Sequence, residues 1–215
     1  MNTRRRLQRK KNFIRRQRSL RNAFRVAFLI MPLFLSFSAS ADKAVFAGGC
    51  FWCMESDYEK LEGVTEVISG FTGGTLVNPT YNGNHSGHYE AVEVHYDENK
   101  LSYQDLLDHF WINIDPFDDQ GQFCDKGFSY LSAIFVDNEQ ERELAEASKQ
   151  KVIKQFPNQK VVTPILSAST FYPIKGNESA HQDYYKTNPL RYKYYRWGCG
   201  RDQRLKEIWG DQGNH

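Results

Sequence analysis

Gly48-Gly49-Cys50-Phe51-Trp52-Cys53-Met54-Glu55 holds the residue types best suited to chemistry in this chain. A cysteine in the first turn of a helix sits at the positive end of the helix dipole, beside N–H groups without intrahelical partners, and both favour thiolate over thiol. The thiolate is the nucleophilic form. Two glycines permit a tight turn that would leave the Cys50 sulfur accessible, and Phe51 with Trp52 would supply an apolar wall for a small nonpolar group.

Blander readings compete with this one. Phe51 and Trp52 could be core aromatics beside a structural Cys50–Cys53 bridge. A zinc site is disfavoured, because Cys124 and Cys199 stand alone and complete no second ligand pair. A C-x-x-C pair at a strand-to-helix turn also suits a thiol–disulfide oxidoreductase using Cys50 and Cys53, although no βα unit precedes it. A disulfide-bonded binding module with an aromatic ligand wall is the non-enzymatic alternative.

A nucleophile needs a proton source nearby. Glu90 opens a β-prone run beside a glycine-rich loop, where a glutamate is more often a solvated outward side chain; set instead in an apolar pocket, its carboxylic acid would keep its proton near neutral pH. Glu93, further along the same run, is expected to share its face.

The elements that would position these groups can be read from periodicity and turn residues. Lys43–Ala47 reads as a strand, Cys50–Leu61 as a helix, Val64–Phe71 as a second strand and Tyr89–Tyr96 as a third. Residues 72–87 form a long Gly/Asn/Pro/Ser-rich loop, of a length that points to function. Ser102 reads as the N-cap of a helix through Trp111 with Leu106, Leu107 and Phe110 on its apolar face. A second polar loop, residues 115–127, leads to a strand at Tyr130–Val136, a helix at Asn138–Phe156, a strand at Lys160–Leu166 and a short helix at Ser179–Thr187. The βαββαβ order predicts an α+β two-layer sandwich of the ferredoxin-like, split-βαβ kind with a C-terminal extension.

The overall charge of +2 averages two unlike pieces. Residues 1–25 hold eleven basic side chains and no acid; Val26–Phe37 is apolar, and Ala39-Ser40-Ala41 has the small-x-small pattern of a signal-peptidase site. Residues 1–41 therefore read as a signal peptide or targeting segment, which predicts an exported, periplasmic protein, with an uncleaved membrane anchor as the alternative. The apolar run is shorter than the roughly 20 residues a spanning helix needs, so no stable span is expected after cleavage. Residues 42–215, the predicted mature domain, carry 17 Lys and Arg against 26 Asp and Glu, a net charge of −9. That balance argues against nucleic-acid binding, which needs concentrated positive charge.

Gly49-Cys50-Phe51-Trp52 with Glu55 resembles the signature of the A-type peptide methionine sulfoxide reductases. The resemblance continues through Gly70-Phe71-Thr72-Gly73-Gly74, Asn78-Pro79-Thr80-Tyr81, Gly87-His88-Tyr89-Glu90-Ala91-Val92, Gln120-Gly121, Asp125-x-Gly127-x-x-Tyr130 and His181-Gln182-Asp183-Tyr184, nearly the whole predicted domain.

The resemblance implies that Cys50 attacks the sulfur of methionine S-sulfoxide and emerges as a sulfenic acid, with Glu90 as proton donor and Tyr81 and Tyr130 as donors to the sulfoxide oxygen. Phe51, Trp52, Asp125 and Tyr184 would bind the substrate. A second thiol must then reset Cys50. Cys199, in a glycine-flanked tail, is the first choice as resolving cysteine; Cys53 is the alternative, and Cys124 is expected to be a buried small apolar side chain.

No metal and no organic cofactor are expected. The expected partners are oxidised proteins or peptides and a thioredoxin-like reductant, and the expected state is a monomer. The tail, Arg191–Gly210, departs from the family's shorter glycine-rich ending, the loop between Tyr81 and Glu90 is short, and Leu131 stands where an arginine often follows the site tyrosine.

Overall fold

The computed structural model describes residues 41–213, so the targeting segment read in residues 1–41 lies almost wholly outside the described residues. The central strands are β1 (Ala41–Gly48), β2 (Val64–Thr72), β3 (Tyr89–Asp97) and β6 (Ser132–Val136). Strand β3 lies between β1 and β2, antiparallel to both, and β6 pairs antiparallel with the other edge of β1. Two short strands, β7 (Ile165–Ser167) and β8 (Tyr172–Pro173), flank these four: β7 runs parallel to β6, and β8 pairs with β2. A separate hairpin joins β4 (Gly121–Gln122) to β5 (Asp125–Lys126). The result is a mixed sheet covered by helices, an α+β fold.

Helices α1 (Phe51–Tyr58), α2 (Tyr103–Ile112) and α3 (Glu139–Gln155) follow from local sequence. Ser102 caps α2 through a reciprocal capping box with Asp105, and Asn138 caps α3 by accepting the Glu141 N–H at 2.9 Å. Leu106, Leu107 and Phe110 are fully buried, as the spacing predicts, and join Phe46, Met54, Tyr58, Val92, Val94 and Ile134 in the core between sheet and helices. Strand alternation turns Glu90, Val92 and Val94 toward that core. Glu93 is three residues from Glu90, so it faces the other way, where it pairs with Lys43 and His95; the expectation of a shared face is corrected.

The C-terminal third departs furthest from expectation. The strand read at Lys160–Leu166 begins only at Ile165, because Pro164 has no N–H to give a ladder; its carbonyl accepts from Ile134. The helix read at Ser179–Thr187 is divided at Asp183, whose φ of 52° breaks it into a 3-10 turn and the short α4 (Tyr184–Thr187). The tail is helical: Pro189 starts α5 (Pro189–Gly198), and α6 (Arg201–Trp209) follows after Gly200. Tyr192, Arg196, Arg201, Leu205 and Trp209 from these helices are buried. Among the described residues, no helix is long and apolar enough to cross a membrane.

Candidate active site

The turn from β1 into α1 has little steric slack. A Cβ on Gly48 would lie 2.4 Å from Met54 Sδ, and Gly49 has φ +85° with Gln122 Cβ only 2.6 Å from where its own Cβ would sit. Cys50 is the N-cap residue of α1, as the motif predicts, and its carbonyl accepts the first helical N–H bonds from Cys53 and Met54. Its sulfur is not accessible in the way the glycines suggested, because Cys50 is 6% exposed.

Burial reverses the expected acidity. It pushes the Cys50 thiol well above its ordinary pKa, and the hydrogen bond with Cys53 and the charges of Cys53 and Glu90 act in the same direction; a hydrogen bond from Tyr195 opposes them. Helix dipole and free N–H groups are outweighed. Cys53 is lowered to about 7, chiefly by the hydrogen bond with Cys50, against burial and with help from Arg201 and Arg196. Of the two thiols, Cys53 is therefore the one that ionises first and Cys50 the one that holds its proton longer.

Glu90 is 2% exposed and lies beneath the nucleophile's turn, where its Oε2 accepts the Phe51 N–H at 3.2 Å. Burial raises it to about 8, further raised by the charge of Asp125 and opposed by the Phe51 N–H and by a hydrogen bond with Tyr130. It carries a proton at neutral pH. Tyr81 and Tyr130 are both raised by burial, Tyr81 to about 12, and so remain hydroxyl donors.

Trp52 stacks on Tyr184 with ring centroids 3.9 Å apart, and the ring of His181 lies 3.8 Å from that of Tyr81 and parallel to Trp52. Phe51 is fully buried between Phe71 and Tyr81, whereas Trp52 and Tyr81 are only partly buried and face the site from its rim. Tyr81 is held by its backbone: Glu178 accepts the N–H groups of Tyr81 and Asn82 at 2.9 and 2.8 Å.

Asp125 joins the cluster through Tyr195, whose hydroxyl donates to Asp125 Oδ2. Sequence reasoning missed Tyr195, Glu178 and Gln122, and named His181 only as part of a signature block without a role. Tyr195 lies among several tyrosines in a tail read as mobile, and no local signal separates it from them.

The four cysteines pair differently from expectation. Cys124 and Cys199 form a disulfide with a Cα separation of 4.9 Å, and Cys50 and Cys53 are free. Cys124 is thus an exposed bridge residue on the β4–β5 hairpin, not a buried apolar one. Cys199 is the C-cap of α5, held by its bridge and by helix geometry, and not a free thiol on a loose tail. The disulfide flanks the site: both sulfurs lie 3.8 Å from Asp125 oxygens. A cluster of Glu55, Glu59 and Asp183 brings ligand atoms within 4.8 Å, but Lys186 Nζ already lies 2.6 Å from Glu59 and 2.7 Å from Asp183 and supplies the cation.

Residues 42–213 match the family model described as peptide methionine sulfoxide reductase. The chain belongs to the peptide methionine sulfoxide reductase family. It is 52% identical over 172 residues to the reductase MsrA 2 of Caulobacter vibrioides, covering 79% of this chain and 86% of that one. It is 44% identical over 177 residues to the reductase MsrA of Bacillus subtilis, covering 80% and 98%. These relatives place it among the A-type reductases, and the chain is an oxidoreductase that reduces peptide methionine sulfoxide. Among solved structures, the methionine sulfoxide reductase A of Corynebacterium diphtheriae aligns with a TM-score of 0.61 at 29% identity, covering 70% of this chain and 76% of that one. The reduced form of Mxr1 from Saccharomyces cerevisiae aligns with a TM-score of 0.63 at 26% identity, covering 71% and 88%.

Proposed function

We propose that this reductase acts on the S epimer of methionine sulfoxide, in proteins or free, through a sulfenic acid on Cys50. The observation that carries the reading is the buried carboxyl of Glu90, held by the Phe51 N–H under the turn that presents Cys50. Cys53 takes the Cys50 proton as Cys50 attacks sulfur. Glu90 protonates the departing oxygen, with Tyr81 and Tyr130 donating hydrogen bonds to it. The protonated oxygen passes from the substrate sulfur to the Cys50 sulfur, so the substrate S–O bond and the transient bond between the two sulfurs break, a Cys50 S–O bond forms, and methionine leaves with Cys50 as the sulfenic acid. Trp52, Phe51, Tyr184 and Asp125 line the substrate's place, and the aromatic side accepts the S-methyl group.

Resetting requires a second thiol. Cys53 is free and hydrogen-bonded to Cys50, while Cys199 becomes available only if its bridge to Cys124 opens. Cys53 is therefore the resolving residue of this proposal, in place of Cys199. A thioredoxin-like dithiol would reduce the Cys50–Cys53 disulfide and complete the cycle. Thiol–disulfide exchange as the principal activity gives no role to the buried acid or the tyrosines around Cys50. The basic and apolar pattern of residues 1–41 supports export to the periplasm. The order of the four central strands supports the finer reading of the fold as a split-βαβ, ferredoxin-like sandwich.

Separate assays on the two epimers of N-acetylmethionine sulfoxide, with a dithiol as reductant, test the function. Turnover of the S epimer and at least hundredfold slower turnover of the R epimer is the expected result; equal rates would overturn the assignment.

A further inference from the structure

Two buried arginines converge on α1 from the C-terminal helices. Arg196 of α5 and Arg201 of α6 are 7% and 2% exposed, and both meet Asp57, one turn beyond Cys53. Arg196 Nη1 donates to both oxygens of Asp57 at 2.8 and 3.0 Å and to the hydroxyl of Tyr192 at 3.0 Å. Tyr192 packs in one buried cluster with Cys50 and Cys53. Arg201 approaches from the other side, with Nε 3.7 Å from Asp57 Oδ2. Its Nη1 donates to the Gly48 carbonyl at 3.3 Å, and its Nη2 to the Asn113 carbonyl at 2.7 Å and toward Met54 Sδ at 3.4 Å. Arg201 thus touches residues on both sides of Cys53 in sequence.

The charges in this cluster do not balance inside the protein. Two guanidinium groups share one buried carboxylate, since Asp202, which also pairs with Arg196, is 49% exposed. The Nε of Arg201 is buried and has no hydrogen-bond partner. A buried surplus of positive charge is costly unless an anion completes it. The other titratable groups around Cys53 are Cys50 at the start of α1, Asp57 on it, Glu90 on β3, Asp125 on β5, and Tyr192 and Tyr195 on α5; Glu90 is raised to about 8, and Asp125, which also feels the charge of Arg201, is only partly buried and already accepts the Tyr195 hydroxyl. Cys53 is the group left to supply the anion.

We propose that Arg196 and Arg201 are positioning residues for the resetting step, holding Cys53 as the thiolate that attacks the Cys50 sulfenic acid. The proposal rests on the reading that Cys53 resets Cys50. In that step a bond forms between the two sulfurs and the Cys50 S–O bond breaks. Cys53 first passes the proton it took from Cys50 to the Glu90 carboxylate left by the sulfoxide step; the Cys53 sulfur is then oxidised and the Cys50 sulfur reduced, and the departing hydroxide takes that proton from Glu90 to leave as water. The C-terminal helices, which carry no atom to the substrate through these arginines, thereby set the rate at which the enzyme becomes ready for its dithiol reductant. The lowered pKa of Cys53, to which Arg201 and Arg196 both contribute after the hydrogen bond with Cys50, agrees with this arrangement.

The test follows the sulfenic acid directly. Full-length protein with Cys50 and Cys53 reduced is mixed with N-acetylmethionine sulfoxide without reductant; the dimedone-trappable sulfenic acid and the Cys50–Cys53 disulfide are then measured by mass spectrometry from pH 6 to 9. Each unit by which the Cys53 pKa rises lowers its thiolate fraction about tenfold below that pKa. Arg201→Gln should slow disulfide formation about tenfold at pH 6 and about fivefold at pH 7 for a one-unit rise, and recover toward pH 9, and Arg201→Lys should retain most of the rate. Asp57→Asn should shift the profile the other way, with faster disulfide formation at pH 6, an effect that a merely damaged fold would not produce. An unchanged Arg201→Gln profile, a loss that raising the pH does not recover, or slower closure of Asp57→Asn at pH 6 would overturn the arginine proposal while leaving Cys53 as the resetting thiol. A Cys50–Cys199 bond forming at the parent rate in Cys53→Ser would overturn the resetting reading itself.

Discussion

The backbone N–H of Phe51 donates to Glu90 Oε2 across 3.2 Å, joining the residue after the nucleophile to the third strand of the sheet. Thirty-nine residues separate the two in sequence. This contact places a buried carboxyl, raised by burial to about 8, under the turn that carries Cys50.

Replacing that acid should expose its role. Glu90→Ala is expected to lower kcat/KM by about 10²- to 10⁴-fold, the usual span for a lost general acid. Because the acid must be protonated and is raised to about 8, activity of the parent should fall as pH rises through about 8. In Glu90→Ala that alkaline limb should disappear from the pH–rate profile; full activity would sink the mechanism.

Cys50→Ser should abolish reduction, and Cys53→Ser should complete one turnover and then stop. The readout is methionine released per protein molecule in the absence and presence of a dithiol. Continued turnover of Cys53→Ser would transfer the resetting role to another thiol.

Removing the bridge by Cys124→Ser with Cys199→Ser should cost stability more than chemistry. The bridge closes a loop of 75 residues, so about 2–4 kcal/mol of unfolding free energy is expected to be lost. Urea unfolding measures it, and multiple turnovers should persist in the folded double variant.

Glu55 offers a stability test away from the reaction. It is 1% exposed, accepts the Asp183 N–H at 3.0 Å, leaves its second oxygen unpaired, and is raised to about 7 by burial. A carboxyl raised in the folded state binds its proton more tightly than in the unfolded chain, so its contribution is complete below the unfolded pKa and lost as pH rises through about 7. Glu55→Gln should therefore raise Tm at pH 8 relative to the parent, by about 2–4 °C for each kcal/mol recovered, with little change at pH 5. Thermal unfolding at the two pH values decides it.

Gly49→Ala should misplace the nucleophile. Its positive φ and the 2.6 Å approach of Gln122 leave no room for a methyl group, and a strained turn of this kind costs about 1–3 kcal/mol. Lowered Tm together with lowered kcat should appear, whereas Gly176→Ala has open space around its Cβ and should show backbone strain alone.

The sequence by itself determined the nucleophile's turn, the caps of α2 and α3, the buried face of α2 and the acid on β3, because each depends on neighbours a few residues away. The small residues at 48 and 49, the Ser102 cap and the strand alternation act over that short range. The tertiary structure alone decided what each group would be chemically. The helix start by itself favours the Cys50 thiolate, yet burial, with the neighbouring Cys53 and Glu90, pushes its pKa up instead, and Cys53 is the thiol that is lowered. The glycine-flanked setting of Cys199 suggests a free resolving sulfur, but helices α5 and α6 fix it against Cys124 and bring Tyr195, Arg196 and Arg201 under the site. Those contacts join residues 70 to 153 positions apart, and neither the dielectric around a thiol nor the partner of a buried charge is fixed until the chain has packed.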